Sequence, residues 1–330
     1  MVWLKRGLAL LTLGIAIYLF LPLLRDLRAA SDLFKTARWI WLPIVIGIQL
    51  VSYAFLTWLN AVALQPFQGK IGFFRLAALL TAMAYIEVAI PSAGASGVAL
   101  RAHLLRKQGG YRVEASTFTL ILETIVLAVA LGTVALIGVV YLLNTGNISH
   151  THIIFLSLLT LGGIVIITRC WRIISDQQRS RNLLVKLITL WNRILGRFRQ
   201  LDPTHIEDRL TDFQSHLGHL KDVPRWKFFI AAYGRVALDI TTLGTCFLLF
   251  GYPITPGTLL TGYGLILIMS GLAALPGGLG LADISVPVIF SRLGTAGEVA
   301  LVAGLTYRLI AFWMLRFIGF ISWQYLEART

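Results

Sequence analysis

Apolar runs of about twenty residues, separated by short polar bridges, organise the whole chain. The first is "GLALLTLGIAIYLFLPLL" (7–24), preceded by Lys5 and Arg6; a polar bridge (25–38) leads to a second run, 39–64, with Trp39 and Trp41 at its edge. Further runs occupy about 72–90, 116–143, 153–169, 228–250, 258–275 and 297–324. Each is close to the roughly 17–25 residues an α-helix needs to cross a bilayer, and edge tryptophans fit the membrane interface. The pattern predicts an all-α polytopic membrane protein with about eight membrane segments. The first run is longer than the apolar core of a secretory signal, about 7–15 residues, so it reads as a retained helix.

Two runs end in interruptions. The third passes into "IPSAGASGVALRAHLL" (90–105), and the seventh into "ALPGGLGLADISVPVIFSRLG" (274–294). Pro91 and Pro276 each stand 32 residues before an ionisable residue, Glu123 and Arg308 respectively. Each half therefore reads as helix, helix, Pro/Gly break, short helix, helix, a pattern open to an inverted repeat with two re-entrant hairpins. Irregular backbone survives at membrane depth only where it is buried in protein or lines a wet cavity. Paired breaks of this kind point to a transporter's binding site, with helix ends facing a polar passenger.

Between 169 and 227 the chain turns polar, with twelve Lys/Arg against six Asp/Glu. The positive-inside rule makes this a cytoplasmic loop between a first half (1–168) and a second (228–330) of one transmembrane domain. Within it, residues 182–199 place Leu183, Leu187, Leu190, Trp191, Ile194 and Phe198 at helical spacing. That is an amphipathic helix, lying either on anionic lipid or against its own bundle. Two topologies stay open at this point. In one, the breaks are hairpins opening to opposite sides with both termini inside; in the other, the third and seventh runs cross fully.

Charge changes the picture in two ways. The net charge is +14, yet no basic stripe interleaved with aromatics suggests nucleic acid, and membrane lipids are the better partner. Only 13% of the 330 residues are charged while 57% are hydrophobic, and mean hydropathy is +0.78, far from a soluble composition. Against that background Glu87, Glu123, Arg235, Asp239, Asp283, Arg308 and Arg316 fall inside apolar runs. Insertion costs about 2.5–3.5 kcal/mol for an Asp or Arg at a helix centre, so these residues must pair or face water. Arg235 and Asp239 are four apart and can neutralise each other. Arg308 needs a partner from another helix or from a ligand; Glu123, Asp283 and Glu87 are the candidates. An arginine at mid-depth suits a phosphate or carboxylate passenger.

Phosphate-loop, HExxH and paired CxxC motifs are missing, Cys170 and Cys246 fit no disulfide or metal spacing, and "GGLGLAD" follows an apolar run rather than a strand. No catalytic residue, metal ligand or cofactor is expected, and the oligomeric state is left open.

"LPGGLGLAD" (275–283) followed by "LTYRLIAFWMLRFIGF" (305–320), and "IPSAGASGVALRAHLLRKQG" (90–109) followed by "ILETIVLAVAL" (121–131), resemble the flippase-like membrane family that includes the transmembrane region of lysylphosphatidylglycerol synthase. Pro91 and Arg101 match its first motif. Gly277, Gly278, Gly280 and Asp283 match the second, with Asp where Glu is usual, and Arg308 matches a recurrent arginine. The resemblance implies two re-entrant hairpins meeting at midplane, the inverted-repeat topology, and movement of lipid headgroups across the cytoplasmic membrane. On that basis Arg101, Arg308, Gly277, Gly278 and Gly280 are expected to bind an anionic or phosphate-bearing headgroup. Glu123, Asp283, Asp239 and Glu87 are expected as coupling or charge partners, and Pro91 and Pro276 as helix breaks. Synthase members carry an aminoacyl-transferase domain after the membrane part, whereas this sequence stops at Thr330, so no enzymatic activity is expected of it. The alternatives are a secondary transporter of a small solute, or a non-transporting subunit of a lipid or glycan synthesis complex.

Overall fold

The computed structural model describes residues 33–90, 95–145, 224–272 and 281–328. The expected first run, the run at 153–169, the amphipathic helix 182–199, Pro91, Pro276 and the glycines 277, 278 and 280 lie outside the described residues. Among the described residues the regular elements are all helical: α1 (Trp41–Ala63), α2 (Phe73–Ala89), α3 (Ala95–Gly109), α4 (Val113–Thr145), α5 (Arg225–Leu249), α6 (Pro256–Leu272), α7 (Leu281–Arg292), α8 (Gly297–Arg308), a π-helical turn (Leu309–Met314) and α9 (Leu315–Ala328). The last three run on as one rod.

Local sequence explains the boundaries. Ile90 is extended, with φ −117° and ψ 102°, as the residue before a proline prefers, so α2 stops there. Pro256 sits at the first position of α6, where its missing N–H costs nothing, and Thr255 Oγ1 accepts a hydrogen bond from the Thr258 N–H at 3.3 Å. α3 and α7 both run out into a left-handed glycine, Gly110 at φ 69° and Gly294 at φ 90°. Three described helices are long and apolar enough to cross a membrane: Trp41–Ala63, Val113–Gly138 and Gly297–Glu327. α5, 25 residues long, has the length but carries Arg235 and Asp239 at its middle.

Lipid-facing surfaces and helix–helix seams have different compositions. Phe74, Phe229, Leu309, Trp313, Phe317 and Ile321 point outward, as apolar side chains do when the surrounding solvent is hydrocarbon. α1 lies antiparallel on α5: the Arg38 N–H donates to the Leu249 carbonyl at 2.8 Å at one end, and Ser52 Oγ donates to the Arg235 carbonyl at 2.9 Å at mid-length. α4 lies antiparallel on α6, where Gly138 lets the backbone of Thr261 approach so closely that an added Cβ would sit 2.8 Å from Thr261 Cα. Thr261 Oγ1 closes that seam by donating to the Gly138 carbonyl at 2.8 Å. Small residues at such seams replace the hydrophobic drive that lipid removes.

α2 packs on α9 in the same manner. A Cβ on Gly319 would meet the Thr81 carbonyl oxygen at 2.2 Å, and backbone there cannot swing aside. Gly319→Ala is therefore expected to cost about 1–3 kcal/mol by prising the two helices apart, read as a lowered unfolding temperature in detergent. An unchanged temperature would show that the seam is loose.

The bundle has two unlike ends. Leu64, Leu76, Leu104, Tyr111 and Leu326 pack together at one of them, joined by the Lys70 N–H bond to the Gly109 carbonyl, and the start of α5 packs beside them through Phe228. That end carries Lys70, Arg75, Arg106, Lys107, Arg112, Arg225 and Lys227 against Glu114 and Glu327. At the other end, where Phe34 meets Phe250, the described charges are Lys35, Arg38, Arg292 and Glu298.

Candidate functional site

The interior holds three charged groupings. The first surrounds Arg101, which is 1% exposed. Its Nη1 donates to Glu123 Oε2 at 3.0 Å, and its Nη2 donates to Thr119 Oγ1 at 2.7 Å and to Asn60 Oδ1. One guanidinium thus ties α1, α3 and α4. Thr119 and Glu123 are four apart on α4, so the helix presents both to the same spot. The expectation that Arg101 binds a headgroup meets a geometry in which the protein itself takes up three of the fork's five N–H donors; the buried Nε has no hydrogen-bond partner.

The second grouping is centred on Asp239, 7% exposed. Arg235 Nη1 donates to Oδ1 at 2.8 Å, one turn earlier on α5, as the four-residue spacing predicts. Oδ2 accepts from Tyr263 at 2.6 Å and from Tyr307 at 2.8 Å. Arg235 also donates to the Ser52 hydroxyl. Four helices, α1, α5, α6 and α8, meet on this carboxylate pair. Beside it, Gln49 Oε1 accepts from Thr242 at 3.0 Å.

The third grouping lies along the last rod. The guanidinium carbon of Arg308 is 4.2 Å, and that of Arg316 3.7 Å, from the centroid of the Phe312 ring. Two planar cations cannot share one face of a ring at those distances, so they cover opposite faces. Eight residues of regular α-helix would swing Arg316 about 80° away from Arg308 at 3.6 residues per turn. The π-helical turn between them underwinds the rod and brings the three side chains into line. Arg316 donates to the Phe312 carbonyl at 3.3 Å, and its Nε is buried without a hydrogen-bond partner. Tyr53 of α1, Glu87 of α2 and Arg235 of α5 lie within electrostatic reach of Arg316. Glu87 in turn lies within electrostatic reach of Glu123.

Of the residues singled out by sequence, Glu87 lies within electrostatic reach of Glu123 and of Arg316, and Arg308 shares the Phe312 ring with Arg316. Glu123, one of three candidate partners for Arg308, pairs with Arg101 through Oε2. Asp239 belongs to Arg235. Asp283 falls on the first turn of α7. Sequence reasoning gave no role to Arg316, Phe312, Tyr53, Asn60, Thr119, Tyr263 or Tyr307. The i, i+4, i+8 spacing of Arg308, Phe312 and Arg316 was the legible signal for the ladder; no spacing announces Asn60 or the tyrosines, which arrive from separate helices. Among the described residues no three His, Cys, Asp or Glu side chains gather to hold a metal ion.

Apolar outer faces, helices of bilayer length and a polar interior define a multi-pass helical integral membrane protein. The chain belongs to the lysylphosphatidylglycerol synthase TM region family, whose family model matches residues 9–319. No curated protein matches the chain.

Proposed function

We propose that this chain is a flippase-like lipid translocase of the cytoplasmic membrane, which passes an anionic or phosphate-bearing headgroup through the bundle interior while the acyl chains stay in lipid. The observation that carries this reading is the Arg308–Phe312–Arg316 ladder: two cationic forks on one ring within a membrane-crossing rod, with Tyr53 and Glu87 within electrostatic reach of Arg316. Arginine suits phosphate because its planar fork donates bidentately and stays charged.

The order and spacing of the helices, read as an inverted repeat, support it. α1, α2, α3 and α4 correspond in order and spacing to α5, α6, α7 and the α8–π–α9 rod, with starts offset by 184, 183, 186 and 184 residues. Equivalent helices α1 and α5 pack antiparallel, which is the relation a two-fold axis in the membrane plane produces. The seam of α2 on α9 has its counterpart in that of α6 on α4. In this reading α2–α3 and α6–α7 are re-entrant hairpins opening at opposite ends. The basic end is cytoplasmic by the positive-inside rule, which also suits the basic loop leading into α5. Glu87, Glu123, Asp239 and Asp283 remain the charge partners or coupling groups, and the glycines at 277, 278 and 280 the helix-end donors.

The test is leaflet exchange of labelled phosphatidylglycerol, its aminoacylated form and a polyprenyl phosphate in proteoliposomes, each with wild type and Arg308→Ala. Exchange of one lipid, slowed about 10- to 100-fold by losing a charge-assisted hydrogen bond, is the expected result. No exchange of any lipid, with a soluble phosphorylated tracer carried instead, would overturn the reading in favour of a solute transporter.

A further inference from the structure

We infer that the space between the two clamped ion pairs takes a phosphodiester headgroup with a hydrogen-bond donor beyond the phosphate: Arg316 and Tyr53 donate to the oxyanion, and Glu87 accepts from the headgroup's hydroxyl or ammonium. This rests on the translocase reading and names the class of its passenger. α1 places the space. Ser52 is tied to Arg235 and Asn60 to Arg101, and Ser52, Tyr53 and Asn60 fall within an arc of about 100° at 3.6 residues per turn. About 12 Å of helix rise separates the two ties at 1.5 Å per residue, and Tyr53 lies between them on that face. Arg316, Arg235, Glu123 and Glu87 all lie within electrostatic reach of the Tyr53 hydroxyl, so the terminal rod, α5, α4 and α2 converge on it.

The charges around this space do not all cancel by contact. Arg101 meets Glu123 at 3.0 Å and Arg235 meets Asp239 at 2.8 Å. Arg316 and Glu87 are left as opposite charges within reach of each other that form no ion pair among the described residues. Arg316 Nε is buried with no hydrogen-bond partner, and its Nη1 reaches only a carbonyl of its own rod at 3.3 Å. The Phe312 ring covers one flat face, 3.7 Å from the guanidinium carbon, which leaves the N–H edge for a ligand. The Tyr53 ring faces the Arg235 guanidinium at 5.9 Å, while its hydroxyl and the Glu87 carboxylate make no hydrogen bond among the described residues. Two donor groups and one acceptor thus stand unmet around one space, and in a low-dielectric interior such groups are costly until something meets them. A phosphate, with two free oxygens, can meet both donors. Glu87 decides what else the headgroup carries: a hydroxyl or ammonium a few bonds past the phosphate satisfies it, whereas a methyl group leaves it unmet. A phosphomonoester fails twice, since it has no such donor and brings a second negative charge toward Glu87 and Glu123.

Calorimetric binding to the full chain in detergent tests this, at about pH 8, where a phosphomonoester is doubly charged because its second pKa is about 6. Dihexanoyl phosphatidylglycerol and dihexanoyl phosphatidylethanolamine carry a donor beyond the phosphate. Dihexanoyl phosphatidylmethanol is a singly charged diester without one, dihexanoyl phosphatidic acid is the monoester, and glycerophosphoglycerol is the first headgroup without acyl chains. Wild type is expected to bind the first two about tenfold or more tightly than phosphatidylmethanol or phosphatidic acid, the effect of one hydrogen bond to a charged group. In Glu87→Gln that preference narrows to about threefold or less and phosphatidic acid gains affinity. Arg316→Gln weakens phosphatidylglycerol binding about 10- to 100-fold and Tyr53→Phe about tenfold. Equal binding of phosphatidylglycerol and phosphatidylmethanol by wild type overturns the inference without any variant having to fold. So does an unchanged preference in folded Glu87→Gln, or wild-type affinity for phosphatidylglycerol in folded Arg316→Gln. The expected binding pattern with no leaflet exchange in proteoliposomes keeps the site and removes the translocase reading. Glycerophosphoglycerol bound as tightly as phosphatidylglycerol then names a soluble phosphodiester as the source.

Discussion

Glu123→Ala is expected to destabilise the protein by about 3–5 kcal/mol, because it strands the Arg101 guanidinium at 1% exposure with two neutral acceptors and no counter-charge. The cost comes from the uncompensated charge rather than from the worth of the pair. Replacing both partners with apolar residues, Arg101→Met with Glu123→Leu, is accordingly expected to recover most of the loss. Thermal unfolding of the three purified proteins in one detergent gives the comparison. A single variant as stable as wild type would mean that water or another acid reaches Arg101, and the view of this grouping as a clamp on α1, α3 and α4 would be wrong.

Asp239→Ala is the second change expected to have a large effect, again about 3–5 kcal/mol, since Arg235 loses its carboxylate and the Tyr263 and Tyr307 hydroxyls lose a charged acceptor in the same stroke. Tyr263→Phe and Tyr307→Phe each remove one hydrogen bond to a charged group and are expected to cost about 1.5–3 kcal/mol. Because both tyrosines share Oδ2, the double Phe variant should differ from the sum of the singles, a coupling that a double-mutant cycle reads directly. Strict additivity would show that the two hydroxyls do not depend on one another.

These two groupings separate structural charges from the ladder. Arg235 looks alike in sequence to Arg308 and Arg316, each an arginine inside an apolar run, while Arg101 lies in the interruption after the third run. In the folded bundle Arg101 pairs with a carboxylate from another helix and Arg235 with one a turn away on its own, whereas Arg308 and Arg316 lie against an aromatic ring. Arg235 and Asp239 could be paired by spacing because both lie on one helix and differ by one turn. Arg101 could not be assigned to Glu123, since 22 residues and a change of helix lie between them.

The sequence by itself determined the class of the protein, the apolar helices that carry it through a bilayer, places where helices stop, and most of the charges that had to be accommodated inside; Arg101, in the interruption after the third run, was not counted among them. Those are consequences of local composition and of the period of a helix, which a one-dimensional reading resolves. Only the tertiary structure decided which charges on different helices neutralise each other. It also decided that Asn60, Thr119, Tyr263 and Tyr307 complete two of the clusters, and that a π-helical turn brings Arg308 and Arg316 onto one ring. The physical reason is that helix periodicity fixes which face a residue occupies but not which helix it meets, and in lipid that choice is made by close packing at seams such as Gly138 on Thr261 and Gly319 on Thr81.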